Sequence, residues 1–108
     1  MTLPTEKDVE KALHYVASTD ETHAKEIAHV KALEHQVKTI KALAYLDADG
    51  TVGERTATAD SSQVYQAWIN TYENAIATSE TTKAKRKRAE LTIDVWRSIN
   101  ANRRIANV

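Results

Sequence analysis

Apolar residues recur at steps of three and four through the first half of the chain, at Val9, Leu13, Val16, Ile27, Val30, Leu33, Val37, Ile40 and Ala44. These steps place the side chains on one stripe of an α-helix, so the sequence predicts a first helix over about residues 5–46. Ser18 and Glu21 match a capping box, which would allow the helix to restart there with a kink. We favour a continuous helix.

Both glycines lie in a polar segment at residues 47–60, which we predict to be the connection. A second helix is predicted over about residues 61–100. Its inward positions alternate by four and three, at Trp68, Tyr72, Ala75, Ser79, Thr82, Arg86, Ala89, Ile93 and Trp96. This spacing is typical of a coiled-coil seam. No large apolar residue occupies the seam between Ser79 and Arg88, so packing there must be narrow, polar or completed by another group.

A second apolar stripe, at Leu91, Val95 and Ile99, lies on a different face of the second helix. Two apolar faces on one helix imply two packing partners. The first helix supplies one, and a second copy of the chain is the most economical source of the other. The sequence therefore predicts an all-α fold of one domain over residues 1–108: a long, coiled-coil-like antiparallel helical hairpin, which dimerises into a four-helix arrangement.

Composition narrows the range of functions. The chain has 108 residues, no cysteine and only two glycines. This excludes disulfides, a thiolate nucleophile, cysteine-bound zinc and most glycine-rich phosphate loops. No run of about 18 apolar residues is present, and the first residues lack the basic flank and apolar stretch of a signal peptide. We therefore expect a cytosolic protein that does not enter a membrane.

One segment partly resembles a metal-binding loop. Asp47, Asp49 and Gly50 match the middle of a calcium-binding EF-hand loop. The ends of the loop do not match, because the first and twelfth positions would be Tyr45 and Thr56 instead of acidic ligands. A polar turn is the better interpretation.

Other chemistry is equally poorly supported. The pair Glu26 and His29 has the spacing used in di-iron bundles, but the chain has no second such pair. No two histidines are four residues apart, as zinc on one helical face requires. We find no nucleophile motif, and Ser61 and Ser62 are better explained as helix caps. The sequence predicts no enzymatic activity, no metal and no cofactor.

Charge is distributed unevenly, although the net charge is zero. Residues 1–82 carry 7 basic and 13 acidic side chains, whereas residues 83–108 carry 8 basic and 2 acidic ones. The candidate binding residues are Lys83, Lys85, Arg86, Lys87, Arg88, Trp96, Arg97, Arg103 and Arg104. Basic side chains beside an aromatic ring are suited to bind phosphates and stack a base, or to contact an acidic protein. The alternative is structural: Lys85, Lys87 and Arg88 keep this apolar-poor part of the helix soluble and face acidic residues of the first helix such as Glu21, Glu26 and Glu34.

The run Trp-Arg-Ser-Ile-Asn-Ala-Asn-Arg-Arg at residues 96–104 resembles a family of short phage-encoded α-helical proteins. Segments 15–23, 45–55 and 72–75 follow the order found in that family. The resemblance implies a host-cell cytosol setting and an accessory role near phage early or recombination genes. It draws attention to Trp96, Arg97, Asn100, Asn102, Arg103 and Arg104, and it supplies no catalytic residue.

Three functional hypotheses follow. The first is an accessory protein of phage recombination or replication that contacts DNA, or a DNA-bound protein, through the basic part of the second helix. The second is an anti-defence or host-takeover inhibitor that binds a host protein, such as a nuclease, through its acidic first helix. The third is a structural component of the virion or its scaffold.

Overall fold

The computed structural model describes residues 2–106, which form three helices and, within that range, no strand. They are α1 (Glu6–Asp47), α2 (Val52–Asp60) and α3 (Gln63–Ala106). Helix α1 packs antiparallel against α3, which confirms the predicted all-α helical hairpin. None of these helices contains an apolar stretch sufficient to cross a bilayer.

Helix α1 begins with a reciprocal cap. The Thr5 backbone N–H donates to Asp8 Oδ2 at 2.8 Å, and the Asp8 N–H donates to Thr5 Oγ1 at 3.2 Å. Ser18 does not restart the helix, because its hydroxyl donates backward to the Tyr15 carbonyl at 3.2 Å. The α-helix is uninterrupted through this point. The preference for a continuous first helix is therefore confirmed.

The connection contains a helix where the sequence indicated only a polar turn. Thr51 caps α2, and its side chain and the Glu54 side chain form a complete capping box. Gly50 precedes it with φ +107°, a conformation that favours glycine. Helix α3 then begins at Gln63, with the Tyr65 N–H donating to Ser62 Oγ, and it continues six residues beyond the predicted end near residue 100.

The chain divides into two compact units, which we describe separately: residues 2–24 with 80–106, and residues 25–79. In the first unit, Val9 and Ala12 of α1 are buried together with Ile93 of α3, and Ala89 and Trp96 pack against them. This core is small. Its positions coincide with the three-and-four spacing on both helices, as a coiled-coil seam requires.

The second unit is organised around aromatic side chains of α3. Trp68 stacks between Tyr65 and Tyr72, with ring centroids 5.8 and 4.8 Å apart. The Trp68 indole N–H donates to the carbonyl of the buried Leu33 at 2.9 Å. The Tyr72 hydroxyl donates to Glu34 Oε1 at 2.9 Å, a bond that raises the pKa of Tyr72 above its ordinary value. The two hydrogen bonds, from Trp68 and Tyr72, connect α3 to α1 within this unit.

All nine predicted seam positions of α3 are buried or partly buried. On α1 the predicted stripe is wrong at two positions: Leu13 is 50% exposed and Ile27 is also exposed. Eleven of the buried or partly buried positions of α1 alternate by three and four, and Tyr15, Lys41 and Tyr45 are partly buried outside this series; the eleven are Val9, Ala12, Val16, Thr19, His23, Glu26, Val30, Leu33, Val37, Ile40 and Ala44. The stripe of α1 was predicted from large apolar residues, whereas the observed seam of α1 also contains small and polar residues.

Candidate basic surfaces of the first unit

The cations predicted as one binding set are distributed among several surroundings. Arg86 occupies the seam. One of its terminal nitrogens donates to the Val16 carbonyl and to Thr19 Oγ1, both at 2.8 Å, and the other lies 2.6 Å from Asp20 Oδ1. Its side chain is only 16% exposed. Arg86 is therefore a structural residue that fills the polar part of the seam, and it is not available to a ligand.

Lys85 and Arg88 border an apolar groove of about 740 Å³ between α1 and α3. We call this the apolar groove. Its floor is formed by Leu3, Pro4, Ala12, Tyr15, Leu91 and Val95. Lys11 stands with Lys85 and Arg88 at its edge. Two of the three residues of the predicted second apolar stripe, Leu91 and Val95, line the groove and are exposed, whereas Ile99 is partly buried and does not line it.

Lys83 and Lys87 are exposed and do not line the apolar groove. The reason is helical geometry, since residues two apart, such as Lys85 and Lys87, differ in direction by about 200°. Neither Lys83 nor Lys87 forms an ion pair with a carboxylate of α1 among the described residues. Among the described residues, Arg86 forms an ion pair with a carboxylate of α1, whereas Lys85, Lys87 and Arg88, the cations of the structural alternative, do not.

A second concavity, of about 420 Å³, lies at the C-terminal part of α3. We call it the arginine cluster, and it is lined by Trp96, Arg97, Asn100, Arg103 and Arg104. Steps of three, four and seven residues bring these side chains to neighbouring positions on the helix. The structure thus groups four of the nine predicted site residues, and it adds Asn100, which the C-terminal sequence run had indicated.

The arginine cluster groups three guanidinium groups around one concavity. No carboxylate lies within 4 Å of the Arg97, Arg103 or Arg104 guanidinium groups among the residues that the structure describes. Trp96 packs against the small core of the unit and also lines the cluster. An anion or a planar group can therefore approach three guanidinium groups and the edge of an indole.

The part of the chain that the structure describes holds no metal-binding arrangement beside these surfaces. Within residues 2–106, no group of three or more histidine or acidic side chains lies close enough to hold a metal ion. Glu26 and His29 line a shallow concavity of about 320 Å³ in the second unit, together with neutral side chains of α3. What the first unit offers chemically is binding: hydrogen-bond donors and cations at one place, and an apolar floor at another.

The groove edge is the feature that sequence reasoning missed. Lys11, Leu3 and Pro4 come from the N-terminal segment and α1, far in sequence from Lys85 and Arg88. The antiparallel hairpin brings them together, and knowledge of the register between the helices would have been needed to pair them.

No protein-family model, curated protein or solved structure matches the chain.

Proposed function

We propose that this protein is a non-enzymatic accessory protein of phage DNA metabolism, and that it contacts nucleic acid through the arginine cluster. The observation that carries the proposal is the grouping of Arg97, Arg103 and Arg104 around one concavity with Trp96 and Asn100. The phage setting rests on the sequence resemblance at residues 96–104.

The chemistry of the cluster suits a phosphate backbone. Guanidinium groups form paired hydrogen bonds to phosphate oxygens, and several of them in one place give affinity without sequence specificity. The Asn100 amide can both donate and accept, and the exposed part of Trp96 offers a surface on which a base can stack. A single-stranded or distorted nucleic acid fits this combination better than an intact duplex, whose bases are already stacked.

The alternative, an inhibitor that binds a host protein through the acidic first helix, receives less support. Two of the carboxylates that this helix would offer are engaged within the chain. Asp20 pairs with Arg86, and Glu34 accepts the hydroxyl of Tyr72. Arg97, Arg103 and Arg104, in contrast, have no carboxylate partner among the described residues.

A titration with fluorescently labelled single- and double-stranded DNA, at low and moderate salt, tests the proposal. We expect the double variant Arg103→Gln/Arg104→Gln to bind at least about tenfold more weakly and to reduce the salt dependence by up to about two phosphate contacts. Lys83→Gln/Lys87→Gln removes the same charge elsewhere on the helix and is the matched control.

Retained affinity in that control, with weakened binding in the arginine variant, supports the proposal. Equal weakening in both variants would show that only total charge matters and would overturn the assignment of the site. If the folded wild-type chain binds neither DNA at low salt, the role in DNA contact is wrong. Capture of a host protein by the same preparation would then favour the inhibitor hypothesis, and presence in phage particles the structural one.

A further inference from the structure

Seven of the ten exposed large aliphatic side chains among the described residues lie in two parts of the chain, and Leu13, Ile27 and Ile105 lie elsewhere. Three belong to the apolar groove of the first unit: Leu3, Leu91 and Val95. Four others lie within or beside the connection in the second unit, at Leu43, Leu46, Val52 and Val64, and Leu46 is 71% exposed. Exposed apolar side chains grouped in this way mark interaction surfaces more often than isolated ones do.

The two places carry opposite charge. The apolar groove is bordered by Lys11, Lys85 and Arg88, and its one carboxylate, Asp8, accepts the N–H that caps α1. The connection instead carries Asp47 and Asp49 beside its exposed aliphatic residues. We call the following six residues, which are exposed and lie within or next to the connection in sequence, the acidic end: Leu43, Leu46, Asp47, Asp49, Val52 and Val64.

The position of Asp47 is unfavourable for the helix that bears it. It is the last residue of α1, and no basic residue is present in that last turn. The C-terminal end of a helix carries partial negative charge, so a carboxylate there is destabilising. Leu43 and Leu46, three residues apart, place exposed apolar surface beside this charge.

We propose that the acidic end of one copy docks on the apolar groove of a second copy. Leucine and valine side chains of the acidic end cover the groove floor, and Asp47 and Asp49 face Lys85 and Arg88. The groove cannot pair with itself, because that would place its three cations against three identical ones. Each copy offers both a groove and an acidic end, so an assembly of copies can form this contact more than once.

Charge reversal tests this contact directly. The groove-reversed variant is Lys85→Glu/Arg88→Glu, and the end-reversed variant is Asp47→Lys/Asp49→Lys. A third chain carries all four substitutions. We expect the wild type to self-associate at low salt and to shift toward the mass of one chain as salt rises. Each two-residue variant should have the mass of one chain under the same conditions.

The decisive result is recovery of association. An equimolar mixture of the two variants, and the chain with all four substitutions, should each regain a mass of at least two chains, because opposite charges face each other again. Light scattering measures the mass, and circular dichroism checks helical content. Lysine at position 47 favours the helix end, so loss of fold is not expected there.

Three outcomes would overturn the proposal. The first is a wild type that has the mass of one chain at all concentrations. The second is an end-reversed variant that still dimerises, which would assign the groove to another occupant. The third is a four-substitution chain that does not recover. None of these depends on DNA binding, so failure here and failure of the proposed function are distinguishable.

Discussion

Arg86 occupies a seam position that coiled coils ordinarily fill with an apolar side chain. It is tolerated because its donors are satisfied by Val16, Thr19 and Asp20 of the facing helix. A partly buried guanidinium with these partners replaces apolar packing by directed hydrogen bonds, which fix the register of the two helices at this level. The seam is therefore polar where the sequence lacks large apolar residues.

We expect Arg86→Ala to lower the free energy of unfolding by about 2 kcal/mol, since it removes charge-assisted bonds in a partly buried site. Asp20→Asn should cost less than about 1 kcal/mol, because the Asp20 side chain is 64% exposed and water replaces the lost interaction. Urea unfolding of both variants gives the comparison. Equal losses would show that the ion pair alone, without the bonds to Val16 and Thr19, carries the effect.

The carboxylate of Asp8, in the cap of α1, should make the stability of the fold depend on pH. The Thr5 backbone N–H, followed by the Thr5 side chain, holds the pKa of this carboxyl below its ordinary value of 3.8. A lowered pKa in the folded state stabilises the fold above the ordinary value, and this contribution is lost as pH falls through the lowered pKa. We expect wild type to be more stable than Asp8→Asn near neutral pH.

The difference between these two chains should shrink as the pH of urea unfolding is lowered below the ordinary value. Asparagine cannot titrate, so only the wild type loses its contribution. A difference in the free energy of unfolding that stays constant from neutral to acid pH would contradict the role assigned to the carboxylate.

At the scale of elements, the two long helices were predictable because heptad spacing is a strong signal. On α3 the seam contains enough aromatic residues, Trp68, Tyr72 and Trp96, to fix its phase. On α1 the phase is carried by Ala12, Thr19 and His23, which hydrophobicity does not distinguish from surface residues. The larger Leu13 and Ile27 were assigned inward for that reason, although both are exposed.

Helix α2 was missed although its start has a sequence signal. Thr51 and Glu54 have the spacing of a capping box, and both bonds of the box are formed. The segment was interpreted as a turn because it contains both Gly50 and Gly53. Only Gly50 has a backbone conformation that requires glycine, whereas Gly53 lies inside α2.

The two glycines therefore predict opposite effects of the same substitution. Gly50→Ala should lower the free energy of unfolding by about 1–3 kcal/mol, because φ is +107° and an added Cβ would collide with the Glu54 side chain. Gly53→Ala meets open space in a helix and should raise stability by up to about 1 kcal/mol. Thermal unfolding of both variants measures the signs, and a loss at Gly53 would contradict the assignment of α2.

At the scale of the whole molecule, the sequence predicted a basic set without showing how it divides. Lys85 and Arg88 border the apolar groove, Arg86 is in the seam, and Arg103 and Arg104 belong to the arginine cluster. The division depends on the direction of each side chain around α3 and on which side of it α1 packs. The sequence gives the direction of each side chain around α3, but it does not show on which side of α3 the helix α1 packs.

Because the groove and the arginine cluster use different cations, the two proposed activities should separate. We expect Lys85→Glu/Arg88→Glu to abolish self-association while leaving most of the affinity for DNA. Arg103→Gln/Arg104→Gln should weaken DNA binding by at least about tenfold while the mass at low salt stays that of the wild type. Light scattering and DNA titration of the same two preparations give all four values.

The two activities cannot separate completely, because the groove-reversed variant also has a different net charge, and the same measurements show the size of this effect. Reversing two charges shifts the net charge of the chain by four units, so DNA affinity at low salt falls somewhat through long-range repulsion alone. That part is screened as salt rises. The deficit of the arginine variant also narrows, because losing two phosphate contacts lowers the salt dependence of binding, but at moderate salt this variant should still bind DNA more weakly than the groove-reversed variant. If both variants lose both activities to the same extent at moderate salt, one surface serves both roles and the division into groove and cluster is wrong.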